Sequence, residues 1–359
     1  MRPFGRCFLP GPTDVHPDVW KATQDPMYFA FSTRMQSLLE GMQPKLKRLF
    51  GTERTVMTAT TAGTGLMEAA IRNGVRHRVL VVVGGYFGEL FARVGEGCGK
   101  EVIRLHVPEG AALQPDQLTQ FLDGPEVDAV ALVHSESSTG ALAPLPALVR
   151  VIHEQSDAIV LVDGVTSVGA MPIETDGWGL DFVFTGSQKA LALPPGIALC
   201  AASAKFMARA ETLNDRGLYF SIPHLFRAAE RNLPLTTPAL PVYHALACQL
   251  DRIEEAGGLE TRFARHALMA QRMVEWTDAH PEVDLLAGEG QRSPTVSALE
   301  IPPDMSPSDV VEKLEAEEYL IATGLAPLTD RIIRIGHMGD LELPHLDELL
   351  TALQRVLGL

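Results

Sequence analysis

Residues 158–196 read AIVLVDGVTSVGAMPIETDGWGLDFVFTGSQKALALPPG, and two apolar runs within this stretch decide the fold. The first, Ala158–Val162, is apolar at every position and closes on Asp163. The second, Asp181–Ser187, is mostly apolar and runs through Gly186-Ser187-Gln188 into Lys189, followed by a Pro194-Pro195-Gly196 turn. A strand wetted on one face alternates apolar and polar residues, whereas a strand covered on both faces of a parallel sheet is apolar almost throughout. The same texture recurs at Val79–Gly85, Glu101–Val107, Val127–Ser135 and Ile197–Ser203, with helix-like stretches at about 65–75, 87–97, 114–123 and 145–156 between them. This alternation predicts a large, doubly wound, mostly parallel α/β domain, with ligand contacts at the C-terminal ends of its strands.

After about residue 255 the texture changes. A polar helical stretch, Leu259–Ala279, leads to a strand candidate at Thr295–Ile301 and a helix opened by Ser306-Pro307-Ser308-Asp309. A strand at Arg331–Met338 and a helix at Leu343–Leu357 complete what reads as a smaller α+β domain over 256–359, following a large domain over 21–255.

Composition narrows the function classes. The 359 residues are 46% apolar and 21% charged, enough for a sizeable core. The net charge of −15 argues against nucleic acid as a partner, since phosphate backbones require a basic face. The four cysteines, Cys7, Cys98, Cys200 and Cys248, form no CxxC pair and read as reduced structural thiols. The longest apolar runs are too short to span a bilayer, and the N-terminus lacks a secretory pattern, so the expected place is the cytoplasm, without a membrane partner. Dispersed histidines without HExxH spacing give no expectation of a metal site.

Several strand ends carry chemistry. Lysines are seldom buried unless paired or functional, and desolvation frees an amine's lone pair for Schiff-base formation, which is the functional reading of Lys189. Taken alone, Lys189 also fits a surface lysine at a strand–turn junction. Asp163 stands where a carboxylate can meet a protonated ring nitrogen, or equally where it caps a turn. Thr60-Thr61-Ala62-Gly63-Thr64-Gly65 opens a helix whose free N–H groups suit an anion, although the stretch is neither a P-loop nor a GxGxxG turn. Phe87, between glycines in Gly84-Gly85-Tyr86-Phe87-Gly88, can lie against a planar ring or serve as a core aromatic. Ser135-Glu136-Ser137-Ser138 clusters hydroxyls beyond another strand. Arg334, inside the apolar run Arg331–Met338, needs a partner, either a substrate carboxylate or a structural acid.

In this order the words resemble the class V aminotransferases of pyridoxal-5′-phosphate (PLP) fold type I, most closely the alanine–glyoxylate and serine–pyruvate branch. The matching words are GPT at 11–13, LFGT at 49–52, AGTGLMEAA at 62–70, GYFGE at 85–89 and HSESSTGAL at 134–142. They continue with LVDGVTSVGAMP at 161–172, GSQKALALPPG at 186–196, TTPAL at 236–240, SPTVSAL at 293–299 and RIGHMG at 334–339. The resemblance implies that an N-terminal arm, residues 1–20, joins the small domain. It implies Lys189 as the Schiff-base lysine and general acid/base, and Asp163 as partner of the pyridine nitrogen. It further implies Phe87 and Val165 on opposite ring faces, and Ala62, Gly63, Thr64 and Gln188 at the phosphate. Thr236 is implied to reach the phosphate of a neighbouring subunit, and Ser138, Arg334 and the backbone at Gly11 to hold the substrate carboxylate. The implied reaction is ping-pong transamination between a small amino acid, of the alanine or serine type, and a 2-keto acid, of the glyoxylate or pyruvate type. A homodimer with shared active sites is implied as well.

The chain departs from the family where Ala30-Phe31-Ser32 replaces a His-Arg-Ser word and Leu233-Pro234-Leu235 replaces a Tyr-His-His word. These changes leave the substrate open. Phosphoserine and aminoethylphosphonate transaminases stay as alternatives. A C–S lyase would need a mobile nucleophilic cysteine, and Cys200 sits in an apolar strand instead.

Overall fold

The computed structural model describes residues 3–359. An N-terminal arm leads through helices α1 (Pro17–Ala22) and α2 (Thr33–Phe50) into strand β1 (Met57–Ala59). The alternation follows: α3 (Gly63–Gly74), β2 (Arg78–Val83), α4 (Tyr86–Gly97), β3 (Glu101–His106), α5 (Pro115–Leu122) and β4 (Ala129–Val133). A short hairpin, β5 (Ser135–Glu136) and β6 (Ala141–Leu142), precedes α6 (Leu145–Gln155), β7 (Ile159–Asp163), β8 (Phe182–Gly186) and β9 (Ala198–Ala202). Helices α7 (Ala204–Glu211), α8 (Ile222–Ala229), α9 (Leu240–Glu255) and α10 (Gly258–Asp278) connect to a second unit. That unit comprises β10 (Asp284–Leu285), β11 (Val296–Glu300), α11 (Pro307–Ala316), β12 (Ala322–Thr323), β13 (Ile332–Gly336) and α12 (Leu343–Leu357).

The large sheet has the order β1-β9-β8-β7-β4-β2-β3, parallel from β8 to β3 and antiparallel where β9 meets β8 and β1. Its strands are apolar because they feed two cores at once. Val130, Val160, Val162, Val183 and Leu199 point into one, and Ala129, Ile159, Leu161, Phe182 and Phe184 into the other. That is the period-2 alternation of side chains applied to a sheet covered on both sides. Val127–Ser135, expected as one strand, is broken: β4 stops at Val133, and Ser135-Glu136 turns away to pair with Ala141-Leu142. Consecutive strands leave β2 in opposite directions, to β3 on one side and β4 on the other, so a crevice opens beyond the C-terminal ends of β2 and β4.

The second sheet, β10-β11-β13-β12, is wholly antiparallel and covers its own core. The arm joins it, with Phe8 N donating to Leu320 O at 2.7 Å and Gly336 N to Phe8 O at 2.7 Å, and Phe8 is buried among that core's residues. Among the described residues no helix is long and apolar enough to cross a membrane.

One buried ion pair ties this unit to the strand-end turn after β8. Arg262 Nη1 donates to Asp340 Oδ1 at 2.7 Å and Nη2 to Ala190 O, while Gln249 Nε2 also reaches Asp340. Removing one member of a buried pair strands the other charge, at a cost of about 3–5 kcal/mol. Arg262→Ala is expected to lose stability on that scale in urea unfolding, and a loss under about 1 kcal/mol contradicts the pair's role.

Candidate active site

Strand ends converge on Lys189, and each arrives for a local reason. Lys189 follows β8 in a turn whose carbonyls accept from Thr13: Thr13 N to Gln188 O at 3.0 Å and Thr13 Oγ1 to Lys189 O at 2.9 Å. The arm therefore lies over the lysine, whose Nζ donates to Pro10 O. Gly11 has a φ of +131°, which favours glycine, and a Cβ there would lie 2.6 Å from Lys189 Cδ and Cε and push the lysine side chain aside. The amine lies 5.6 Å from the centroid of the Phe87 ring.

Asp163 is the last residue of β7 and is 5% exposed. Its Oδ1 accepts from Val165 N at 2.8 Å, and its other oxygen has no hydrogen-bond partner among the described residues. Burial pushes the carboxyl up to about 7, partly countered by the Val165 N–H. Burial likewise lowers Lys189 to about 8, with the Arg334 guanidinium acting in the same direction.

Helix α3 begins beside this pair. Ala62 is its N-cap without a side-chain cap, so the N–H groups of Gly63 and Thr64 stay open. Gly63 is pressed against Val165, whose Cγ2 would lie 2.8 Å from any Cβ there. Gln188 Oε1 is buried without a partner. Open helix N–H groups, an unpaired amide and an amine set beside a desolvated carboxyl form a donor and acceptor set that fits a phosphorylated pyridine aldehyde.

Arg334 is 7% exposed in the middle of β13. Its Nε donates to Thr323 O at 2.8 Å and its Nη1 to Ser137 O at 3.1 Å, and among the described residues no carboxylate lies within ion-pair distance. Burial lowers it to about 10. The structural acid weighed as its partner is thus not there. Ser138 is differently placed from the expectation: its hydroxyl donates to Glu136 Oε1 at 2.6 Å and accepts from Tyr86 N at 2.9 Å, so it has no proton left for a substrate carboxylate. Thr236 makes no hydrogen bond to the cluster, although its segment is pinned to the α3 loop by Ala239 N donating to Thr60 Oγ1 at 2.9 Å. Sequence reasoning passed over Glu136 and the Pro10 carbonyl. Glu136 carried a signal, a lone acid in a serine-rich turn beyond an apolar strand. Among the described residues no group of His, Cys, Asp and Glu is placed to hold a metal ion.

Comparison with known proteins finds relatives along nearly the whole chain. The family model for aminotransferase class-V matches residues 19–332. An uncharacterized aminotransferase of Methanocaldococcus jannaschii is 34% identical over 92% of this chain and 87% of its own. The L-aspartate–glyoxylate aminotransferase of Paracoccus denitrificans is 31% identical over 93% and 86%. The crystal structure of an alanine–glyoxylate aminotransferase from Nostoc sp. superposes with a TM-score of 0.93, covering 98% of this chain and 95% of that one at 28% identity.

The raised Asp163 carboxyl has a consequence for the cofactor-free protein. Its folded-state value lies above its ordinary 3.8, so its contribution to stability is full below about pH 4 and is lost as pH rises through about 7. Asp163→Asn is therefore expected to stabilise the cofactor-free chain at pH 8, on the order of 2–4 kcal/mol in urea unfolding, and to change little at pH 4. Equal effects at both pH values contradict the burial of an ionisable group there.

Proposed function

Because the chain belongs to the class-V aminotransferases, which are PLP-dependent transaminases, we propose that it moves the amino group of a small L-amino acid of the alanine or serine type to a 2-keto acid of the glyoxylate or pyruvate type, with Lys189 as the working amine. The observation that carries this reading is Arg334, a buried guanidinium without a carboxylate partner, facing the same crevice as a desolvated lysine.

The residues divide the work. Arg334 keeps donors unspent by Thr323 and Ser137, and these suit a substrate carboxylate in bidentate fashion. The Gly11 backbone, close against the lysine, limits the space around that carboxylate. PLP, when bound, supplies an electron-withdrawing ring that stabilises negative charge at the carbon bearing the amino group. Asp163 would hold a proton at the ring nitrogen, Phe87 and Val165 would confine the ring, and Gly63, Thr64, Gln188 and the loop at Ala62 would receive the phosphate. Lys189, lowered toward neutrality by burial, would serve at Nζ as the base that takes the proton from the substrate's amino-bearing carbon and as the acid that gives it up to the cofactor carbon that carried the aldehyde. Pro10 O holds the amine near that path, and the arm over the turn keeps water out.

Substrate size follows from the charges at hand. The cluster offers one guanidinium and one amine, and the amine is reserved for proton transfer. One buried guanidinium suits a donor that carries a single carboxylate, of the alanine or serine type. The Paracoccus and Nostoc relatives both carry glyoxylate in their names, which supports a short keto acid as acceptor. A cysteine desulfurase reading is disfavoured because Cys200 lies within β9, fully buried, with its thiol pushed up by burial.

A second copy of the chain completes the reading. Met27, Phe29 and Phe31 in the N-terminal segment and Leu218 and Tyr219 before α8 expose large apolar surface, and Tyr219 donates to Thr60 O beside the α3 loop. A partner covering that surface brings its own Thr236 segment towards the phosphate loop. Sedimentation at micromolar concentration is expected to show a dimer, and a monomer contradicts this arrangement.

A panel of amino donors, followed by bleaching of the bound cofactor's visible band, tests the reaction. Alanine or serine is expected to bleach it fastest, and Arg334→Ala to weaken every donor by about 10- to 100-fold, the scale of charged hydrogen bonds. Unchanged donor affinity in Arg334→Ala, or a marked preference for aspartate, contradicts the assignment.

A further inference from the structure

The turn beyond β4 holds an acid that none of the roles above uses. Glu136 is 4% exposed and its two oxygens accept four hydrogen bonds. Oε2 receives Phe87 N and Gly88 N, both at 3.1 Å, and Oε1 receives Ser138 N at 3.0 Å and the Ser138 hydroxyl at 2.6 Å. Ser138 Oγ in turn accepts from Tyr86 N at 2.9 Å. The first three amides of α4 therefore end on this one pair of side chains.

The same turn reaches in the other direction. Ser137, one residue on from Glu136, gives its carbonyl to Arg334 Nη1 at 3.1 Å. A single short turn thus grips the guanidinium on one side and the backbone of Phe87 on the other. The approach is close: a Cβ on Gly85 would lie 2.4 Å from Ser138 Oγ and 2.6 Å from Glu136 Cγ, so any side chain there displaces that pair.

Four donors converging on two oxygens demand a carboxylate. A glutamine offers one oxygen and one NH₂, so two of the donors would face another donor. Placed at the start of α4, the negative charge is also stabilised by the helix dipole. Secondary to burial, this charge raises the proton affinity of Asp163 and Lys189 and favours the Arg334 cation.

We propose that Glu136 is a positioning residue that sets the spacing between the Arg334 guanidinium and the Phe87 ring, and so the register between a substrate's carboxylate and the plane of the cofactor. It acts through Ser138, Ser137 and the first turn of α4. The role rests on the reading of the Lys189 crevice as the cofactor's seat. It goes beyond helix capping, because a cap alone stabilises α4 without touching the geometry at Arg334.

The test uses the cofactor-loaded protein, with Glu136→Gln and Gly85→Ala as two ways of disturbing the same contact. Unfolding temperature, cofactor affinity, the visible circular dichroism of the bound cofactor, and kcat and KM of the donor half-reaction are compared with the parent. Glu136→Gln is expected to lose at least half of the visible dichroism at full occupancy, and kcat is expected to fall about 10- to 100-fold, as a misplacement near 1 Å produces. Gly85→Ala is expected to reproduce the dichroism change, and it decides the matter by the same readouts if Glu136→Gln does not fold. Dichroism and kcat within twofold of the parent, with only the unfolding temperature lowered, overturn the proposal in favour of a cap. A parent protein that shows no visible dichroism with the cofactor overturns the assignment of the crevice itself, and the positioning role with it.

Discussion

Two ionisable groups are withdrawn from water at the ends of adjacent parallel strands, and the rest of the site is arranged around that fact. Asp163 closes β7, and Lys189 follows β8 by three residues; the strands pair in parallel with Asp163 opposite Phe184. Both strands are covered on each face, so their C-terminal ends open only into the crevice. Burial moves the two groups toward each other in proton affinity, the acid upward to about 7 and the amine downward to about 8. An amine in that state is a nucleophile and a base near neutral pH, which a wetted lysine is not.

Holding this pair dry takes contributions from distant parts of the chain. The arm lies across the lysine turn through Thr13 and Pro10, and its Phe8 anchors in the core of the second sheet. From that sheet comes Arg334, whose guanidinium meets the turn between β5 and β6 at Ser137, and from the turn after β13 comes Asp340, paired with Arg262 on α10. Arg262 then returns to the lysine turn at Ala190. The amine and the guanidinium are therefore fixed to one another by two separate routes, one across the Ser135–Ser138 turn and one through the buried ion pair. A shift of the second unit against the large sheet would alter both ends of the site together.

Much of the fold was legible because buried strands announce themselves. Val79–Val83, Ala158–Val162 and the run to Gly186 are apolar on both faces, and the observed strands fall within two residues of those runs. Leu343–Leu357 was legible to the residue, since Pro344 at the helix start and Gly358 at its end punctuate it. Helix α2 was not, because Pro44 interrupts its pattern and polar residues outnumber its buried stripe. The antiparallel direction of β9 was hidden too, because a strand's composition says that it is buried and not which way it runs.

For the site, residues standing at strand ends could be picked out, and partnerships could not. The serine-rich word after β4 invited a reading of its hydroxyls as ligand donors, yet Ser138 spends its proton on Glu136, a contact fixed by the path of α4. Arg334 stood out as a cation in an apolar run, but that it lacks an acid depends on which strands flank it, and those positions are Ala298 and Ala322.

The central claim is that Lys189 is the amine that bonds the cofactor. The most direct measurement is borohydride reduction of the PLP-treated protein followed by peptide mapping of the labelled residue. The account predicts a stoichiometric label on Lys189, in the peptide that contains GSQKALALPPG, and none in Lys189→Ala. A label on another lysine, or a protein that takes up none at saturating cofactor, contradicts it.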